Sequence, residues 1–292
     1  MKFWWKRNWK FFALFIICLM IMLYGMLGDK NFFWILKESI FNPEYRANFF
    51  LNNETTVGMV IEPTVFNIMK TVISNMHFTF DASVIFGTMW FQIIIPLFAT
   101  ISGIEFYQIY NSNLKLKIIR KESYRQTVLK EILFNSLKLG GIIFIAYLIF
   151  ISFVYLISTP GSLGSSERTL FSDLIGNNLY LNHTFIYFIM EGIVRFFMIP
   201  FAYATLSQSF SLLNKSLKEV IAAPILYYYG LSALGFALAM VLPQLAIYIN
   251  PSVIMASGSY DQFNSIVLIF INMLPLLIGL GIIHWRTKNV EI

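Results

Sequence analysis

The chain has 292 residues, 58% of them hydrophobic and only 12% charged. Soluble domains carry about 25% charged residues, so this composition excludes a water-soluble globular protein and points to a polytopic membrane protein. The net charge of +6 does not by itself indicate nucleic acid, because the cations must first be placed relative to a bilayer.

The amino terminus reads MKFWWKRNWK, three tryptophans and four basic residues in ten positions. On a helical wheel Lys2, Lys6, Arg7 and Lys10 fall within one arc of about 140°, with Trp4, Trp5, Asn8 and Trp9 on the remainder. The pattern predicts an interfacial helix over 1–10, its cations on lipid phosphate and its rings among the headgroups. The alternative is a plain basic and aromatic flank of the first span.

A bilayer core about 30 Å thick requires roughly 20 apolar residues of helix. The first such run, 11–27, is too long for a cleaved secretion signal and lacks an Ala-x-Ala site, so it reads as a signal-anchor. It holds the single cysteine, Cys18, expected as a small buried hydrophobe. One cysteine allows neither an internal disulfide nor a cysteine-based metal site. Residues 28–83 are mildly acidic, too apolar for a solvated linker and too short for a large domain. They predict one or two short helices resting on the outer membrane face, one of them starting at Pro63.

Span two, 84–104, contains Pro96 and exits at Glu105, which can snorkel or pair with a cation. The connection that follows reads EFYQIYNSNLKLKIIRKESYRQTVLKEILFNSLKLGG. Its second half has helical spacing, with Val128, Leu129, Ile132, Leu133, Ser136 and Leu137 on one side. A short helix at 114–120, then a turn near Glu122 and Ser123, would make a knob able to dock a partner. The alternative is a helix pair lying on anionic lipid.

Span three covers 139–157, and TPGSLGSS after it predicts a turn-rich loop. Span four, 185–206, contains Glu191 and Arg195. Ionisable residues inside a membrane cost at least roughly 2.5–3.5 kcal/mol each, and at i,i+4 on a helix they meet and offset one another. The pair reads as structural, facing the bundle or a subunit interface; the functional alternative is substrate or gating contact. Span five, 220–249, is long and carries Pro224 and Pro243, so it should be tilted, bent or broken. Span six, 265–283, has a candidate kink at Pro275.

Lys and Arg in the connections set the orientation. One side holds Lys2, Lys6, Arg7, Lys10, Lys115, Lys117, Arg120, Lys121, Arg125, Lys130, Lys138, Lys215, Lys218, Arg286 and Lys288. The other holds Lys30, Lys37, Arg46, Lys70 and Arg168. Fifteen against five places both termini in the cytoplasm. There is no Gly-x-x-x-x-Gly-Lys-Ser/Thr phosphate loop. The three histidines, His77, His183 and His284, are scattered, and no nucleophile sits with a base. The expectation is an all-α, six-span membrane protein that is not itself an enzyme and has no catalytic, cofactor or metal residues.

Two stretches carry a family resemblance. FGTMWFQIIIPLFATISGIEFYQIYNSNLKLKIIRKESYRQTVLKEIL has a span with a mid-helix proline, a polar exit and a basic turn before the next helix. LSQSFSLLNKSLKEVIAAPILYYYG has serines, a short Asn-Lys loop and a proline just inside the next span. With INPSVIMA after span five, these resemble the permease subunit of bacterial ATP-binding-cassette transporters of the type-2 exporter family, over nearly the whole chain. The resemblance implies a single transmembrane domain in the bacterial cell membrane, paired with a second permease, identical or homologous. Two cytoplasmic ATPase subunits would bind ATP and Mg below it. Residues 111–126 would be the coupling helix, with Lys115, Lys117, Arg120, Lys121, Glu122 and Arg125 facing the ATPase. The substrate implied is amphipathic or hydrophobic: a peptide such as an antimicrobial peptide, a drug, or a lipid-like molecule. An ATP-independent carrier and a non-transporting immunity or scaffold protein are the alternatives. Membrane lipid is the only other partner expected, with no role for nucleic acid.

Overall fold

The structure is a computed structural model that describes residues 2–28, 32–52, 64–68, 79–111, 124–158, 170–176, 178–213, 216–255 and 264–288. Among these residues every regular element is helical. Six helices are long and apolar enough to cross a membrane: Trp9–Leu27, Phe91–Ile109, Tyr124–Ile157, Thr184–Leu213, Leu217–Ala239 and Ser265–Lys288. The chain is therefore a multi-pass membrane protein. The end of the bundle where Arg125 meets His284 is called here the terminal end.

The first helix runs unbroken from Lys2 to Gly28, so no break separates the basic stretch from span one. Beyond it lie two short helices, Phe32–Phe41 and Pro43–Asn52, within the segment where one or two were expected. Asn42 starts the second by accepting the Tyr45 amide at 3.1 Å, with Pro43 at the first helical position. Of the helix expected from Pro63, residues 65–68 are helical and the rest lies outside the described residues.

Span two is preceded by the helix Phe80–Thr88 and interrupted at Met89 and Trp90, upstream of Pro96 rather than at it. Span three begins at Tyr124, fifteen residues before the expected start at 139, because the RQTVLKEILFNSLKL helix is continuous with it. Its packed stripe is Val128, Ile132, Asn135, Ser136 and Leu139. Leu137, expected on that stripe, is half-exposed and points away, since the i, i+4, i+7, i+8 spacing turns it off the face.

Span four is the most enclosed of the six. It contacts spans two, three, five and six. Its middle, Ile193–Met198, is a π-helix ending just before Pro200, whose missing amide cannot close an ordinary turn. Span five continues through Pro224 but ends at Ala239, so the expected 220–249 span is broken. After a turn at Met240–Leu242, the helix Pro243–Ile249 folds back along span five, and the short helix Pro251–Met255 follows. Asn250, between them, lies against Gly235, where an added Cβ would come within 2.5 Å of the asparagine. Span six is interrupted at Met273, two residues before Pro275.

Candidate functional site

Span four buries an ion pair. Arg195 is fully buried and Glu191 is 3% exposed. One guanidinium nitrogen lies 3.0 Å from a Glu191 carboxylate oxygen. The other donates to the Met255 carbonyl at the end of the folded-back segment. The guanidinium also lies 5.1 Å from the Phe196 ring centroid. Tyr147 of span three stacks on that same ring at 4.3 Å and donates its hydroxyl to the Phe188 carbonyl at 2.9 Å. Gly192 makes this possible, because a Cβ there would collide with the Tyr147 ring. The two side chains meet, as their i,i+4 spacing predicts, and Arg195 ties span four to the segment between spans five and six.

Two prolines inside helices are matched by hydroxyls from another span. Pro96 cannot donate to the Gln92 carbonyl, and the Tyr228 hydroxyl of span five donates to that oxygen instead. Tyr229 donates to the neighbouring Ile93 carbonyl, which Pro96 does not release. Pro224 leaves the Val220 carbonyl free, and the Ser207 hydroxyl of span four fills that role at 3.0 Å. Tyr203 packs edge-on against Tyr227 and Tyr228, with centroids 5.9 and 5.7 Å away.

Toward the terminal end, span four carries an uncharged polar cluster. The Gln208 amide nitrogen lies 2.6 Å from the Ser102 hydroxyl and 2.9 Å from that of Ser136. The Thr205 hydroxyl is 3.0 Å from Ser136. All four side chains are buried. Gln208 Oε1, Asn135 Nδ2 and Ser211 Oγ are also buried and have no protein partner among the described residues. Each such atom costs roughly 1–3 kcal/mol if left unmatched. This cluster was not anticipated as a site; the Ser-Gln-Ser run inside an apolar span was its only sequence signal.

At the terminal end itself, Arg125 lies 2.8 Å from His284 Nδ1, Tyr110 and Tyr124 share a 2.9 Å hydroxyl contact, and Arg286 donates to the Leu213 carbonyl at 3.1 Å. Beneath them Phe106, Val128, Ile132, Leu212 and Ile283 form a separate apolar cluster. Glu105 is half-buried on span two, near its expected exit. Of the six coupling residues, only Arg125 falls within the described residues; Lys115, Lys117, Arg120, Lys121 and Glu122 lie outside them. Among the described residues no group of three His, Cys, Asp or Glu could hold a metal ion. Comparison with protein-family models, curated proteins and solved structures finds no match.

Proposed function

We propose that this chain is the permease subunit of an ATP-driven exporter of the type-2 ATP-binding-cassette class. It moves an amphipathic or hydrophobic substrate across the cytoplasmic membrane as one of a pair of permeases, with the ATPases in separate cytoplasmic subunits. The observation that supports this reading is the helix of span three. Its 34 residues, Tyr124–Ile157, extend about 51 Å at 1.5 Å per residue, well beyond a hydrocarbon core of about 30 Å. The excess, at the terminal end, is packed on spans two, four and six through Val128 and Ile132, and is joined to the last helix by Arg125 and His284. A push on residues 112–123 would therefore reach the bundle through a rigid rod. ATP acts by favouring one arrangement of the paired permeases over the other, since a ligand without such a preference shifts nothing.

The test is co-purification with a candidate cytoplasmic ATPase of this class, followed by replacement of Arg120, Lys121 and Glu122 by alanine. Loss of complex formation or of ATP-driven export is expected. Unchanged export in the triple variant removes the coupling role. Export with no ATPase present identifies a carrier, and protection of the host without export identifies an immunity protein.

A further inference from the structure

We infer that an anionic phospholipid docks at the terminal end, its phosphate held by Arg125 and His284 and its acyl chains lying on the exposed face of the last helix. That helix, Leu274–Lys288, has two sides. Pro275, Gly279, Ile283 and Thr287 are buried. Leu277, Ile278, Gly281, His284, Trp285 and Lys288 are exposed and fall within one arc of about 120° at 100° per residue. The chemistry of this arc changes at one level. Leu277 and Ile278 are apolar, and a Cβ on Gly281 would meet no protein atom, so the face is apolar and indented there. One turn further on come an imidazole, an indole and an ammonium. A face that is apolar within a span and turns aromatic and basic at its end has its apolar part on acyl chains and its end among headgroups.

Span three completes the site. The Arg125 guanidinium lies 2.8 Å from His284 Nδ1, and this contact is exposed. With Nδ1 accepting from Arg125, the neutral imidazole carries its proton on Nε2 and remains a donor, as do the other guanidinium N–H groups. A phosphate oxygen can take both, and such charge-assisted bonds are the strong ones. Among the described residues no carboxylate lies within ion-pair distance of Arg125, His284 or Lys288. Arg286 is held differently: it donates to the Leu213 carbonyl and lies 5.2 Å from the Trp285 ring centroid. The anion is lipid-borne, because the exposed apolar arc adjoins the cations and offers nothing to a free phosphate. A zwitterionic headgroup brings its own cation beside the phosphate, which these basic groups repel, so the net-anionic headgroup is preferred. The inference does not depend on the exporter reading, because lipid binds without an ATPase.

The test uses the purified full chain, delipidated in nonionic detergent and titrated with dioleoylphosphatidylglycerol. Dioleoylphosphatidylcholine and soluble sn-glycerol 3-phosphate are run in parallel, and bound molecules are counted by native mass spectrometry. Phosphatidylglycerol should be retained at concentrations that leave the other two unbound. Arg125→Gln combined with His284→Gln should weaken that retention about tenfold. The control is Lys130→Gln, which removes an exposed cation about 140° round span three from Arg125, and retention should be unchanged. If the double variant fails to assemble, His284→Gln alone carries the test, since its side chain is exposed. An equal loss in Lys130→Gln would overturn the inference and mark a diffuse basic rim. Displacement of the lipid by an equal concentration of glycerol phosphate would overturn it too, because the apolar arc would then contribute nothing. Unchanged lipid retention in the double variant, with loss of ATPase co-purification, would assign these cations to a protein partner instead.

Discussion

Span four carries two polar regions that solve opposite problems. Glu191 and Arg195 are charged, lie in the middle of the span and engage each other, the Met255 carbonyl and the Phe196 ring. Gln208 and its neighbours are uncharged and lie nearer the terminal end; both regions leave buried polar atoms without a protein hydrogen bond among the described residues, Arg195 Nε in one and Gln208 Oε1 in the other. A full charge at that depth has to be neutralised within the protein, since the cost of leaving it bare approaches the stability of the fold. An uncharged amide end without a hydrogen bond costs less, roughly 1–3 kcal/mol. The contrast is one of cost: the charges are paired within the protein, whereas the neutral cluster is held by hydroxyl and amide contacts alone.

The sharpest way to break that contrast is Glu191→Leu alone. It leaves a buried arginine uncompensated, and a loss of roughly 3–5 kcal/mol is expected, read as failure to assemble in size-exclusion chromatography. Replacing both Glu191 and Arg195 by leucine should recover much of that loss, leaving mainly the Met255 carbonyl unmatched at about 1–3 kcal/mol. If the double variant assembles normally yet export disappears, the pair is functional rather than structural. Next in size is Gly192→Ala, which drives a methyl group into the Tyr147 ring. Overpacking of this kind costs about 1–3 kcal/mol and should lower the thermal midpoint in detergent.

A smaller effect separates two neighbouring tyrosines. Tyr228→Phe removes the donor to Gln92, whose helical partner would have been the missing amide of Pro96. Tyr229→Phe removes a donor to Ile93, whose carbonyl still has the Leu97 amide in register. A loss of roughly 1–2 kcal/mol is expected for Tyr228, with a clearly lesser one for Tyr229, compared by thermal unfolding. Equal losses would show that the proline is not what makes the tyrosine matter. The least effect on stability is expected for Arg125→Ala, because its contact with His284 is exposed and such contacts contribute about 1 kcal/mol or less. Its consequence should instead appear in ATP-driven export.

Six spans, their order and the Glu191–Arg195 contact were legible in the amino-acid sequence, because each depends on a local property. Hydropathy over about 20 residues decides what crosses a bilayer, and i,i+4 spacing brings two side chains together on any helix. The fate of each proline was not legible. Pro96 and Pro224 sit inside helices because hydroxyls on other spans take the carbonyls they release, whereas Pro243 opens a new helix after a break. Nor could spacing show that Arg195 reaches Met255, sixty residues away, or that Ser102, Ser136 and Gln208 converge. Burial in hydrocarbon adds up along the chain and can be read from it. Which distant donor meets which acceptor depends on how the helices pack, and only the assembled bundle decides that.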